Sequence, residues 1–320
     1  MKLTKKQALK ISKEYNLGDV KSFKLIKGGL QNTNFKFSTS YGEFVIRFIR
    51  KNFKEDYLKL KALEFDVLNY LYDHKFPYSI PKPLVSEKGN LLSSLNERIF
   101  FVYPYLYGKH VKKISNIQIK SVARALATYH KIVLKFPLKP SKKGLSNLSW
   151  LVKKYDKMKK IKPKNKLDKV MLENVHYFDT ILNKINLIRF KGRIIPAHSD
   201  FTYHGNILFN GNNVESILDF DNIDWTLINK DVAVSIKSVC LKHDSLDESK
   251  FKLFLKEYQK IVPLKKYEIN SIKPLILRNY CVIFWWGYEG DMKDGSKRRF
   301  ILDFTIKRTK ALEKSMKFMK

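Results

Sequence analysis

Between Pro196 and Trp225 the chain reads PAHSDFTYHGNILFNGNNVESILDFDNIDW, and the polar residues best suited to chemistry are gathered there. His198-Ser199-Asp200 is followed six residues after the aspartate by Asn206, and Asp219 opens an Asp-Phe-Asp triplet. Each group is flanked by β-type apolar residues: Ile194-Ile195, then Ile207-Leu208-Phe209, then Val214 to Leu218. Asn210-Gly211-Asn212 supplies turn residues, so the two polar groups are expected at neighbouring turns of one hairpin on a sheet edge. A carboxylate so placed can orient a hydroxyl and accept its proton, while further side-chain oxygens hold a hard divalent cation against phosphates. Phosphoryl transfer from a nucleotide asks for this, because it depends on positioning and charge more than on covalent help. Asp200 suits the base, and Asn206 and Asp219 suit Mg2+ ligands. Aspartates that merely cap turns would look the same, so the surrounding elements have to support the reading.

Those elements are of both kinds. Thr4-Lys5-Lys6-Gln7 is a capping box for a helix reaching about Tyr15, stopped by Asn16-Leu17-Gly18. Strands are expected from Ser22 to Lys27, from Phe35 onward, and over Glu43 to Ile49, which carries Arg47 in an apolar run. Gly28 and Gly29 stand at the first connection, where glycine lets backbone N–H groups approach phosphate oxygens. Tyr57 to Leu71 has apolar residues at helical spacing around Glu64. Pro77, Pro81 and Pro83 then punctuate a connection to strands at Pro83-Leu84-Val85 and within Arg98 to Gly108. Gly108 marks the expected boundary between domains of residues 1–107 and 108–320. Beyond it, helices are expected over Ser115–Ile132, Lys169–Leu187, Asp231–Leu241, Ser249–Ile261 and Ser271–Trp286, with the Lys-rich 135–166 stretch as an insert. His130 reads as a packing or capping residue and Asp231 as a helix cap or a buttress of the Asp200 loop. Trp285 and Trp286 read as core.

Composition narrows the class. The 320 residues are 44% hydrophobic and 13% aromatic, enough for a sizeable core and unlike a disordered binder. The net charge of +33 invites a polyanion partner, but 53 of the 63 basic residues are Lys, dispersed along the chain rather than gathered in an Arg-rich stripe. A lysine-covered solvated surface explains this, and no specific nucleic-acid partner is expected. Two cysteines, Cys240 and Cys281, make neither a disulfide framework nor a metal-ligand pattern, which fits a reducing compartment. No apolar run approaches a membrane span and the Lys-rich N-terminus lacks a signal-peptide core, so a cytoplasmic location without membrane partners is expected.

The H-x-D…N and D-F patterns resemble those of the protein-kinase-like small-molecule phosphotransferases, the aminoglycoside phosphotransferase and choline kinase superfamily. From Glu14 to Phe37, EYNLGDVKSFKLIKGGLQNTNFKF is most similar to the opening of the type II homoserine kinases, through its NTN triplet. The resemblance runs from about Leu17 to Val239 and loosely to Trp285. It departs from the family at two places: Asn206 is one residue further from its aspartate than usual, and Arg47 stands where a Lys is common. The resemblance implies an α+β, bilobal protein-kinase-like fold, with an N-terminal antiparallel sheet lobe holding one main helix and a larger, mostly helical C-terminal lobe. It implies ATP and Mg2+, with Gly28, Gly29, Arg47 and Glu64 on the phosphates and the Tyr103 and Tyr105 strand at the adenine. The acceptor is expected to be a small-molecule alcohol. Asp221, Asp224 and Glu289 are candidates for its ammonium group, and homoserine, choline, ethanolamine and aminoglycosides all remain open. A kinase-like scaffold without catalysis is the other reading, suggested by the two departures.

Overall fold

The computed structural model describes residues 2–26, 32–49, 55–137, 148–242, 245–290 and 295–315. Gly28 and Gly29 lie outside them. In chain order the elements are α1 (Lys5–Glu14), β1 (Val20–Leu25), β2 (Thr33–Thr39), β3 (Gly42–Phe48), α2 (Glu55–Asp73), β4 (Ser93–Leu95) and β5 (Arg98–Pro104). There follow α3 (Asn116–Val133), α4 (Ser149–Met158), α5 (Lys166–Asn186), β6 (Ile194–Ala197), β7 (Ile207–Asn210), β8 (Asn213–Ile217) and β9 (Asp224–Leu227). The last helices are α6 (Ile228–Val239), α7 (Glu248–Gln259), α8 (Lys266–Asn270), α9 (Ile272–Glu289) and α10 (Gly295–Ser315). None of the described helices is long and apolar enough to cross a membrane.

The chain divides into two compact units, the first holding Met1–Lys109, Ile207–Asn210 and Val214–Ile223, the second the remainder. In the first, an antiparallel sheet of order β1-β2-β3-β5-β4 alternates its side chains between two faces. Phe35, Phe37, Ile46, Phe48, Phe100 and Val102 form one face, packed on Ala8 and Ile11 of α1. The expected capping box is formed: Thr4 accepts from the Gln7 N–H and the Gln7 side chain returns to Thr4. Arg47 pairs with Phe101 in the β3–β5 register and so belongs to the opposite face. Phe101 is in edge contact with Phe65 of α2, ring centroids 5.2 Å apart. Alternation along β3 therefore turns Arg47 toward α2, a choice the sequence pattern leaves open.

The second unit is helical, with α9 packed on α5, α6 and α10, and α3 on α7. Phe178 and Phe284 stack at its centre, centroids 4.0 Å apart, and Tyr155 donates to the Cys281 carbonyl at 2.7 Å.

Several expectations need correction. The stretch around the polar groups is two ribbons: β6 pairs with β9, while β7 and β8 form their own two-stranded sheet around Gly211. Local turn chemistry predicts the inner ribbon, but the outer one closes across thirty residues and leaves no local signal. Pro83–Val85 is not a strand; Leu84 makes one bond, its N–H to the Val102 carbonyl. The Lys-rich stretch contains α4, and α10 was not foreseen. Trp285 and Trp286 are half-buried rather than core, Trp285 lying against Trp150. Beyond Gly108, a short ribbon belongs with the first compact unit. Lys109 and Phe209 exchange both backbone hydrogen bonds, and Ser79 bonds Glu215 and Ile217 of the β8 strand, which draws the β7–β8 ribbon into the first unit. A side chain at Gly108 would meet the Leu208 Cβ at 2.7 Å, and its φ of +119° suits glycine alone.

Candidate active site

Asp219 and Asp221 belong to the first unit, at the end of the β8 segment, where Asp219 has a left-handed backbone (φ +59°) leading into a short turn at Phe220–Asn222. Arg47 reaches both acids through one terminal nitrogen, 2.6 Å from the Asp219 Oδ1 and in direct contact with the Asp221 Oδ2. Lys61, on α2, bridges Asp221 and Glu64, its own i+3 neighbour. The Asn32 amide also donates to Asp221. Burial works against the charge on Arg47, but Asp221 and Asp219 outweigh it and hold the guanidinium protonated. Burial likewise opposes ionisation of Asp221, and the adjacent Arg47 and Lys61 override it, leaving its pKa lowered. Glu64 goes the other way: burial raises its pKa in spite of Lys61.

The two acids of the triplet are thus unlike. The Asp221 side chain is 8% exposed and spent on cations, whereas that of Asp219 keeps 38% exposure and can meet a ligand. Asp221, a candidate for the acceptor ammonium in the sequence, sits instead in this ion network. The Arg47 Nε is buried without a hydrogen-bond partner among the described residues. An orphaned guanidinium N–H beside fixed acids matches a phosphate oxygen.

The second unit holds Asp200 and Asn206. The extra residue between them does not separate them, for the Asn206 amide donates to the Asp200 carbonyl at 2.9 Å and to its carboxylate at 2.8 Å. The loop is pinned from behind by Asp231 on α6, which accepts the N–H of His198 at 3.0 Å and that of Ser199 at 2.9 Å. Ser199 is left-handed (φ +62°), a conformation costly for a residue with a side chain, and these two bonds hold it there. Asp231 is itself held by His130, whose Nε2–H must donate because a carboxylate only accepts; Nδ1 then accepts the Tyr258 hydroxyl at 2.6 Å. Burial lowers the His130 pKa and keeps the ring neutral. Asp231, despite the burial that opposes ionisation, is pulled low by the His130 bond and the Ser199 N–H. His130 is therefore a support of this loop, beyond the packing or capping role its position suggests.

Of the remaining candidates, Tyr103 and Tyr105 lie on β5 and just after it, and Asp224 and Glu289 belong to the second unit. Tyr103 is buried on the Arg47 face, and Tyr105 carries the Lys36 ammonium 3.9 Å above its ring while its N–H bonds the Glu43 carbonyl. Asp224 is exposed on β9 and accepts from the Trp225 N–H. Glu289 accepts from the Trp285 indole at 2.7 Å and pairs with Lys154 at 3.0 Å. Lys61, Asn32 and His130 were missed as site residues; the spacing of Lys61 from Glu64 was visible, but one lysine among 53 gives no signal.

Among the described residues no three His, Cys, Asp or Glu side chains gather as a metal cage. Magnesium generally takes one or two protein ligands and completes its shell with phosphate and water. Asp219 in the first unit and Asn206 in the second each carry a side-chain oxygen of the kind such an ion takes.

An antiparallel sheet unit with a paired internal cation, and a helical unit with a buttressed H-x-D loop, define a small-molecule kinase. The chain belongs to the phosphotransferase enzyme family, whose model matches residues 22–260. It is similar to the homoserine kinase of Parvibaculum lavamentivorans, 25% identical over 274 residues covering 84% of this chain and 80% of that one. The homoserine kinase of Pseudomonas aeruginosa is 26% identical over 280 residues, covering 85% and 81%. Among solved structures, the AMP-bound complex of a spectinomycin phosphotransferase superposes with a TM-score of 0.72 at 13% identity over 98% of this chain and 99% of that one. A microcompartment-associated aminopropanol kinase gives 0.67 at 11% identity, covering 97% and 98%. These place the fold as kinase-like, and the chain is an enzyme that transfers phosphate to a small molecule.

Proposed function

We propose that this enzyme moves the γ-phosphate of MgATP to the side-chain hydroxyl of homoserine or a closely similar amino alcohol. In this reading residues 1–107 form the nucleotide-binding lobe and residues 108–320 the catalytic and acceptor-binding lobe. Asp200 orients the acceptor hydroxyl and takes its proton as the oxygen attacks, a contribution of roughly 10² to 10⁴ in rate. Asn206 and Asp219 hold Mg2+, which, when bound, neutralises charge on the phosphates. Arg47 contacts the phosphates and the Gly28-Gly29 segment covers them, with Glu64 and Lys61 fixing the internal charge balance and Tyr103 and Tyr105 beside the base. Asp224 and Glu289 are kept as weaker contacts for the acceptor ammonium, and Asp221 is reassigned to positioning Arg47 and Lys61. The buried, unpaired state of Cys240 and Cys281 supports a cytoplasmic setting.

The observation that carries the reading is the Asn206 bond to Asp200: the extra residue is accommodated and the amide still reaches the carboxylate. Curated relatives named as homoserine kinases point to the acceptor. A coupled ADP-release assay across homoserine, choline, ethanolamine, methylthioribose and aminoglycosides tests it. Homoserine is expected to give the highest kcat/KM; a preference for choline or an aminoglycoside, or no release with any alcohol, would overturn the proposal.

A further inference from the structure

The first unit also holds a polar recess at the β4 edge of its sheet, between the last turns of α1 and the loop that leads into β4. It is an open cavity of about 630 Å3, within the roughly 300–1,000 Å3 of small-ligand sites. Strand order puts β5 between this edge and β3, which carries Arg47, so the recess is separate from the ion network described above. Its walls are fixed by backbone bonds. The Glu87 N–H donates to the Glu14 carbonyl at 2.9 Å, which ties the loop to α1. The loop then closes on itself, with the Ser86 N–H on the Asn90 carbonyl and the Gly89 N–H on the Ser86 carbonyl, both at 2.9 Å.

Both signs of charge line the recess and stay apart. Lys10, Lys13 and Glu14 come from α1, Glu87 and Lys88 from the loop. Lys10 and Glu14 have the i, i+4 spacing at which helical side chains pair. Even so, among the described residues none of the five makes a side-chain ion pair or hydrogen bond, whereas Lys36 and Glu43 of the same sheet pair at 2.6 Å. At the floor, Ser93 is 9% exposed and its Oγ accepts the Tyr15 hydroxyl at 3.0 Å. A hydroxyl also donates, and the Ser93 proton has no acceptor among the described residues. Leu92 and Ile99, both half-buried, add a small apolar wall. A buried donor beside unpaired ammonium groups matches a carboxylate, and the two unpaired carboxylates match an ammonium. A ligand with one sign of charge would meet the like charges as well, so the recess suits a molecule that carries both.

We propose that this recess binds a free aliphatic α-amino acid, its carboxylate held by Ser93 with Lys10 and Lys13, its ammonium by Glu14 and Glu87, and its side chain against Leu92 and Ile99. No hydroxyl is required of it, and none of these residues belongs to the phosphate-transfer machinery. The site therefore stands independently of which alcohol the enzyme phosphorylates.

Binding of L-valine, L-leucine and L-isoleucine to the full-length protein is measured calorimetrically. The matched probes are isobutylamine, which is valine without its carboxylate, and 3-methylbutanoate, which is valine without its ammonium. At least one of the amino acids is expected to bind in the millimolar range or tighter, and each matched probe about tenfold or more weakly than valine, the scale of a hydrogen bond to a charged group. Lys10 and Lys13 are exposed on α1, and the double variant Lys10→Glu with Lys13→Glu should lose about tenfold or more in affinity while phosphate transfer stays at the wild-type rate. Ser93→Ala and Glu14→Gln should each weaken binding by a smaller factor. The assignment is overturned if wild type binds none of the three amino acids, or binds a matched probe as well as valine. Binding that survives the double variant undiminished overturns it too, since the amino acid then sits elsewhere. If the double variant does not fold, binding unmoved by both Ser93→Ala and Glu14→Gln overturns it equally.

Discussion

The two acid clusters are built on opposite principles. In the first unit Asp219 and Asp221 are met by full positive charges, Arg47 and Lys61, with Glu64 closing the network. In the second, Asp231 is met by two backbone N–H groups and a neutral imidazole, and the Asn206 amide donates to Asp200. A cluster with fixed cations is suited to receiving phosphate, because those charges cost no reorganisation when the nucleotide arrives. Asp231, held by neutral donors, fixes the backbone of the Asp200 loop without a formal ion pair. The difference fits the proposed division between a part that binds nucleotide and a part that reacts, and each prediction below separates the two.

The largest stability effect is expected at the charged cluster. Arg47→Ala leaves the buried Asp221 short of a partner and should cost about 3–5 kcal/mol of stability, with a raised KM for ATP in whatever fraction folds. Chemical denaturation with ATP titration checks both. A variant as stable as wild type would show that the ion network is not a supporting element.

Asp231→Ala should destabilise by about 3 kcal/mol, because two backbone N–H groups and His130 lose their acceptor. The sign of its pH dependence follows from the lowered folded pKa. The stability that ionised Asp231 supplies is complete above the unfolded value of about 3.9 and is lost as pH falls through the folded value. The gap in Tm between wild type and variant is therefore expected to be constant near neutrality and to close below about pH 4. A gap that widens in acid would contradict the assignment.

Asn206→Ala removes one amide and should lower kcat about tenfold while raising the Mg2+ concentration needed for half-maximal rate. An unchanged magnesium requirement would take Asn206 out of the metal shell.

Much of this was legible in the residues. The Thr4-to-Gln7 capping box, the apolar run around Arg47 and the helical spacing around Glu64 are local signals, and local geometry follows them. The polar stretch from His198 to Asp219 marks the candidate site in the sequence because Asp and Asn at β-strand ends need a reason to be there. What escaped the sequence was pairing over distance. β6 takes β9 as partner across the intervening ribbon, a choice set by tertiary packing that no alternation pattern encodes. Lys61 escaped for a compositional reason, since lysine is so common here that a buried one cannot be told from the solvated majority. Asp221 was misleading because an acid two residues from Asp219 looks free for a ligand until its partners are seen.

The most direct test of the division of labour compares Asp200→Ala with Asp219→Ala, measuring MgATP affinity and phosphate transfer on each. The account predicts that the Asp200 variant binds MgATP like wild type while its turnover falls about a thousandfold, and that the Asp219 variant loses MgATP affinity itself. An Asp200 variant that turns over normally, or an Asp219 variant that binds MgATP undiminished, would contradict it.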